Sequence, residues 1–226
     1  MAELPNDEDF APDINFSLER SLLAYMEPDD YVITIHGSIG TDSQTEIGRL
    51  LGYIIQVNRA INEEQNIFEA CDAHSQTATD YYEALFDHKT GDTKEPIEDQ
   101  LAITRVGNIL ISDRIEVLPA YRKHGLGLAA ACRFIDTFSS DVDDLAVGLP
   151  HPLQFRAEDR RTKDEWHTRM NYQDLPGDKK KATKKLQAYW SKLGMQRLKD
   201  IEINGSPVYG LSLSNKRPTL VELGIK

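Results

Sequence analysis

The chain has 226 residues and a formal net charge of −11 at pH 7, with 26 Lys and Arg set against 37 Asp and Glu. That length suffices for one domain with a sizeable core, and no apolar run approaches the roughly 20 residues a membrane span needs. The acidic balance repels nucleic acid unless a basic patch stands apart from it; it suits a cationic partner such as an amine, and equally plain solubility.

The N-terminus, MAELPNDEDFAPD, lacks the basic region and apolar core of a secretory signal, so a cytoplasmic protein is expected. Residues 1–14 read as a flexible acidic lead. Ser17 then stands where a helix N-cap would, ahead of Leu18, Leu22, Leu23 and Met26 on one face, with Pro28 as a stop. The capping box is incomplete, because Arg20 occupies the position of the expected acid or amide. Tyr31 to His36 alternates as a strand, and Gly37 to Ser43 reads as a polar turn. Ile47 to Val57 reads as a second strand, antiparallel to the first, with Gly52 marking a bulge or a close approach. From 63 to 100 the texture is helical: Ile67, Ala70, Cys71 and His74 share one spacing, and Tyr81, Tyr82, Leu85 and Phe86 another. One or two helices laid over the sheet are expected there. Cys71 and Cys132 both lie in helical patterns and read as buried thiols in a reducing compartment. No Cys/His cluster has zinc spacing, so no metal is expected.

The most informative stretch is Asn108 to Phe138, NILISDRIEVLPAYRKHGLGLAAACRFIDTF. A β-branched apolar run from Ile109 to Val117 ends at Pro119, which cannot donate to a sheet ladder. Arg122, Gly125 and Gly127 follow as R-x-x-G-x-G. Leu128, Ala131, Ile135 and Phe138 then recur at helical spacing. The first N–H groups of such a helix have no partner within it, and its dipole places positive charge there. Strand, glycine loop and helix N-terminus together form an anion site of the kind phosphates occupy. Arg122, Lys123 and His124 add charge to the same turn. On the glycine pattern alone, an ordinary strand-to-helix turn is an equal reading.

The wording VLPAYRKHGLGLAA resembles the acyl-CoA-binding motif of the GNAT acyltransferase superfamily, with Val117, Pro119, Tyr121, Arg122, Gly125 and Gly127 all matching. The resemblance is good over 108–149 and moderate over 182–214; the first hundred residues follow it only in strand order. It implies an α/β fold with a mixed, mostly antiparallel central sheet, a splayed parallel strand pair and helices on both faces. The chain 1–226 would form one such domain, with 63–100 as a helical insertion. The implied activity is transfer of an acetyl or other acyl group from coenzyme A to a primary amine, by direct attack in a ternary complex. The pyrophosphate would lie on the loop from Arg122 through Lys123, His124, Gly125, Leu126 and Gly127 to Leu128.

Further roles follow from the resemblance. The family's base often lies nine or eleven residues before the motif arginine, here Asp113 and Ile111. Ile111 cannot accept a proton, so Asp113 is the candidate. Simple alternation puts it on a face with Ile111 and Ile115, apolar neighbours that suit a base near neutrality. Pairing with Arg114, or a place at the rim, is an equal reading. Glu116 belongs to the opposite face and is less favoured. The Ile115 backbone N–H would polarise the thioester carbonyl, and Val117 would pair with the pantetheine arm.

After the helix, Leu145 to Leu149 is a short strand, followed by Pro150-His151-Pro152 where the family often has an asparagine. His151 is the one histidine worth testing. Arg156 to Lys181 reads as a long charged loop with a short helix. The basic run Lys179 to Lys185 reads as solvated. Ala182 to Leu193 is a helix stopped by Gly194, and strands at Met195 to Lys199 and Val208 to Ser214 flank an Asn204-Gly205 hairpin. Trp190 stands where the family places its leaving-group tyrosine, with Tyr189 one residue earlier; it is expected to pack on the pantetheine end. An indole N–H is not a practical acid at neutral pH. That departure keeps a second class open, a non-catalytic acyl-CoA-binding or regulatory module. A protein acetyltransferase is a weaker alternative. Small-molecule acceptors are expected ahead of proteins, with no nucleic acid or membrane partner, and the 63–100 segment allows a homodimer contact.

Overall fold

The computed structural model describes residues 12–19, 28–41, 45–103, 106–140, 143–155 and 164–225. Seven strands form one sheet: β1 (Asp13–Glu19), β2 (Val32–Gly40), β3 (Glu46–Ile55), β4 (Ile109–Val117), β5 (Leu145–Gly148), β6 (Gln196–Ile203) and β7 (Ser206–Ser212). Their order is β1-β2-β3-β4-β5-β7-β6. The β4/β5 pair is parallel and the other neighbours are antiparallel.

Seven α-helices lie among the described residues. Four short ones, α1 (Val57–Asn62), α2 (Ile67–His74), α3 (Gln76–Leu85) and α4 (Glu95–Leu101), precede β4. α5 (Leu126–Phe138) follows it, and α6 (Glu165–Met170) and α7 (Lys179–Lys192) come after β5. Period-two alternation divides the strands between two cores. Leu145 and Val147 join Ile109, Ile111 and the buried faces of α1 to α4. Ala146 and Leu110 join Leu128, Ala131 and Phe134 of α5 and Trp190 of α7. Helices therefore cover both faces of the sheet. Gly52 is both a bulge and a close approach: the β3/β4 register shifts between Leu51 and Gly52. A Cβ at Gly52 would lie 2.7 Å from the Phe134 ring.

Several sequence expectations are corrected. Residues 13–19 form an edge strand, not a flexible lead and the start of a helix. Asp13 to Glu19 pairs residue for residue with Gly40 to Thr34, and the ladder supersedes the weak N-cap signal at Ser17. Leu22, Leu23, Met26 and the lead before residue 12 lie outside the described residues. β2 continues through Gly37 to Gly40, because β1 and β3 flank it on both sides. Val57 begins α1 rather than ending a strand, and the helical segment holds four short helices instead of one or two. α7 starts at Lys179, where the Asp178 side chain accepts from the Lys181 N–H and caps it.

Candidate functional site

The parallel pairing of β4 with β5 covers only Ile109–Leu145 to Ser112–Gly148, yet β4 runs on to Val117. Beyond Ser112 the two strands part. A cavity of about 770 Å³ opens there, with Asp113 to Val117 on one wall and Leu149 to Gln154 on the other. At its apex Trp190 packs against Gly148, where an added Cβ would meet the indole at 2.9 Å. Trp190 is 8 % exposed.

The β4 backbone presents its edge to this cleft. The Leu118 N–H donates to Ile47 of β3 at 2.9 Å. Backbone groups alternate in direction along a strand, so Glu116 and Leu118 face β3 while Ile115 and Val117 face the cleft. Consistently, the Val117 carbonyl accepts from Arg122 Nε at 2.9 Å. The Ile115 side chain points to the α5 side, 3.5 Å from a Cβ built on Gly127. Its backbone N–H thus faces the cleft, between β4 and the end of β5.

The far end of the cavity is the glycine loop. Lys123 and Gly125 have φ of +74° and +80°, and turns that mix the two helical hands converge successive N–H groups on one side. Gly125 occupies the N-cap position of α5 without a side-chain cap. In the first turn, the Ala129 N–H donates to Gly125 at 3.0 Å, and the Tyr189 hydroxyl stands 2.5 Å from a Cβ built on Gly127. The N–H groups of Leu126, Gly127 and Leu128 precede that first bond and are the ones placed to meet an anion. Lys123 and His124 are exposed beside them. Leu223, Gly224 and Ile225 form one rim of the cavity, with Ile225 over Gly125.

Arg122 is placed differently from a simple phosphate clamp. Its Nε bonds to the Val117 carbonyl, and its Nη2 donates to the Met170 carbonyl at 2.5 Å. Burial pulls the guanidinium below its usual pKa, against the raising influence of Tyr172, Asp174 and Glu116. Tyr189 is likewise held by the fold. Burial pushes its phenol well above the ordinary value, with Cys132 adding to the rise, while the Leu128 N–H acts the other way.

Asp113 lines the cleft, but its face is not the one simple alternation gives. Leu51 pairs with Arg114 and Gly52 with Ser112, so Asp113 is the extra residue of a β-bulge. The bulge reverses the alternation. Ile111 lies in the core under α1 to α4, and Ile115 packs on the α5 side. The expected apolar sandwich of Asp113 between Ile111 and Ile115 is therefore absent. His151 also lines the cavity, on the opposite wall.

Sequence reasoning set Glu116 aside, yet it is the buried carboxyl of the site, at 4 % exposed. It accepts from Trp166 Nε1 at 3.2 Å and from the Tyr172 hydroxyl. It also lies where the main cavity meets a second, of about 460 Å³, on the sheet face beside His36, Ser38 and Arg49. Arg49, opposite Glu116 in register, stacks on the Trp166 ring at 4.0 Å and pairs with Glu46. Trp166 and Met170 stand four residues apart inside a charged run, an apolar pair at helical spacing that signals α6.

Among the described residues no helix is long and apolar enough to cross a membrane, and no group of three or more His, Cys, Asp or Glu is arranged to hold a metal ion. Cys71 and Cys132 are free thiols. Comparison with protein-family models, with curated proteins and with solved structures finds no match.

Proposed function

We propose that the protein transfers an acetyl or other acyl group from acyl-coenzyme A to a primary amine within a GNAT-like fold. The observation that carries this reading is the cleft between β4 and β5. It opens where their parallel pairing stops, exposes the backbone edge at Ile115 and Val117, and leads to the N-terminus of α5. An extended thioester arm can bond along such an edge while its pyrophosphate meets the Leu126 and Gly127 N–H groups. In the reaction the amine nitrogen attacks the thioester carbonyl, the C–N bond forms and the C–S bond breaks. Asp113 takes the amine proton, the Ile115 N–H stabilises the oxyanion, and the thiolate takes a proton from water. The reading keeps a small-molecule amine as acceptor and a cytoplasmic setting.

Calorimetry with CoA and acetyl-CoA tests the donor site, and turnover of acetyl-CoA with a panel of amines tests the reaction. Absence of CoA binding would sink the assignment. Asp113→Asn should lower turnover by roughly a hundredfold or more with CoA affinity unchanged; full activity would remove Asp113 from the mechanism.

One observation favours a second reading, an acyl-CoA-binding module without catalysis. The Tyr189 hydroxyl lies at the phosphate end, 2.5 Å from a Cβ built on Gly127, and Trp190 packs against Gly148. Neither offers the departing sulfur a ready acid. Binding without turnover across the amine panel would favour this reading.

A further inference from the structure

Residues 164–175 form a wall of the cleft from the side opposite α5, and three separate ties hold that wall. Trp166, Met170 and Leu118 make a small apolar cluster of their own, with Tyr121 and Tyr172 against it. Arg169 Nη2 donates to the Glu46 carbonyl of β3 at 3.1 Å. The third tie is Glu116, which receives both Trp166 and Tyr172. The same wall also holds the glycine loop, because the Met170 carbonyl accepts from Arg122. A continuous chain of contacts thus runs from Glu116 through α6 to Arg122 and the loop.

We propose that Glu116 is a positioning residue for the phosphate end of the donor site, acting through α6 and the Met170 carbonyl on Arg122. The inference rests on the acyl-CoA reading for its ligand but not for its geometry. A buried carboxylate that loses its donors, or donors that lose their acceptor, cost the full desolvation of the group left behind, so Trp166 and Tyr172 are strongly held. With α6 seated, the Arg122 guanidinium is fixed by two carbonyls from different elements, Val117 of β4 and Met170 of α6. Released from Met170, it keeps only the Val117 bond and samples other rotamers, so the loop is no longer pre-organised for an anion. Glu116 touches neither the loop nor the reacting atoms in this scheme. Its charge acts on Arg122 through space, and the rest of its influence is relayed through α6, so it differs from the Asp113 role.

Two measurements on the full chain test this. Hydrogen exchange, without ligand, is compared between the parent and Glu116→Gln. We expect exchange about tenfold faster or more in 165–174 and also in 122–128, with α2 and α3 unchanged. Should Glu116→Gln fold poorly, Tyr172→Phe removes one hydroxyl from a half-buried position and must show the same paired response. A response confined to 165–174, or spread evenly over the chain in both variants, overturns the proposal. The second measurement is a double-mutant cycle on CoA affinity. Glu116→Gln, and Trp166→Phe, which drops the donor to Glu116 but keeps its charge, should each weaken CoA about tenfold in the parent and have no further effect in an Arg122→Met background. Losses that add in the double variant overturn the relay. If the parent itself binds no CoA, the proposed function fails, while the exchange measurement still decides whether Glu116 governs the loop.

Discussion

Gly127→Ala is the most exacting test of the way α7 meets the glycine loop. A Cβ there would lie 2.5 Å from the Tyr189 hydroxyl, whereas its next neighbours, Ile115 and the Tyr189 ring carbon, stand at 3.5 and 3.6 Å. One oxygen is thus the whole obstacle. Alanine in a helix interior is worth about 1 kcal/mol over glycine, and Gly127, the second residue of α5, gains less than that. Against that gain, the hydroxyl must move, disturbing the packing of α7 by about 1–3 kcal/mol. With a gain below about 1 kcal/mol and a packing loss of about 1–3 kcal/mol, the net expectation is a loss of up to about 3 kcal/mol, or up to roughly 12 °C in Tm for a domain of this size. Tyr189→Phe removes the obstructing oxygen. In that background the oxygen is absent, and Gly127→Ala should become neutral or stabilising by up to about 1 kcal/mol. Urea unfolding of the four proteins reads this change of sign. If Gly127→Ala destabilises equally with and without the Tyr189 hydroxyl, the close approach does not exist and the reasoning fails.

The remaining expectations concern the cofactor end, the apex and the thiols. Gly125→Asp places a negative side chain at a φ of +80° and 3.0 Å from Ile225; CoA affinity by calorimetry should fall at least about tenfold, about 1.4 kcal/mol, in a protein that still unfolds cooperatively. Trp190→Tyr should leave turnover equal or higher and Trp190→Phe should be mild. A Trp190→Phe variant that binds CoA but is inactive would show that the indole N–H takes part in the chemistry. Burial pushes the Cys71 thiol up to about 12, while in the unfolded chain it titrates near 8.5. Its contribution to stability is therefore intact below about pH 8.5 and lost as pH rises toward 12. Urea midpoints between pH 8 and 10 should decline less in Cys71→Ala than in the parent, and identical slopes would contradict the burial.

What the sequence determined is what local chemistry dictates. The β-branched run Ile109–Val117, its stop before Pro119, the loop with glycines at 125 and 127, and the helix to Phe138 all stand where periodicity and turn residues put them. The hairpin at Asn204-Gly205 is equally local, both residues having positive φ. Tertiary structure alone decided the rest. β1 is a strand because β2 offers it a ladder, a partner no N-cap signal reveals. Asp113 turns off the face of Ile111 because β3 has one residue fewer opposite it, and a bulge depends on two strands. Glu116 meets Trp166 and Tyr172 across 50 and 56 residues of chain. Arg122, read as a free phosphate ligand, is instead bound to Met170, 48 residues away. Propensity acts over a few residues and so was legible; register, bulges and the pairing of buried polar groups arise only when distant segments pack together.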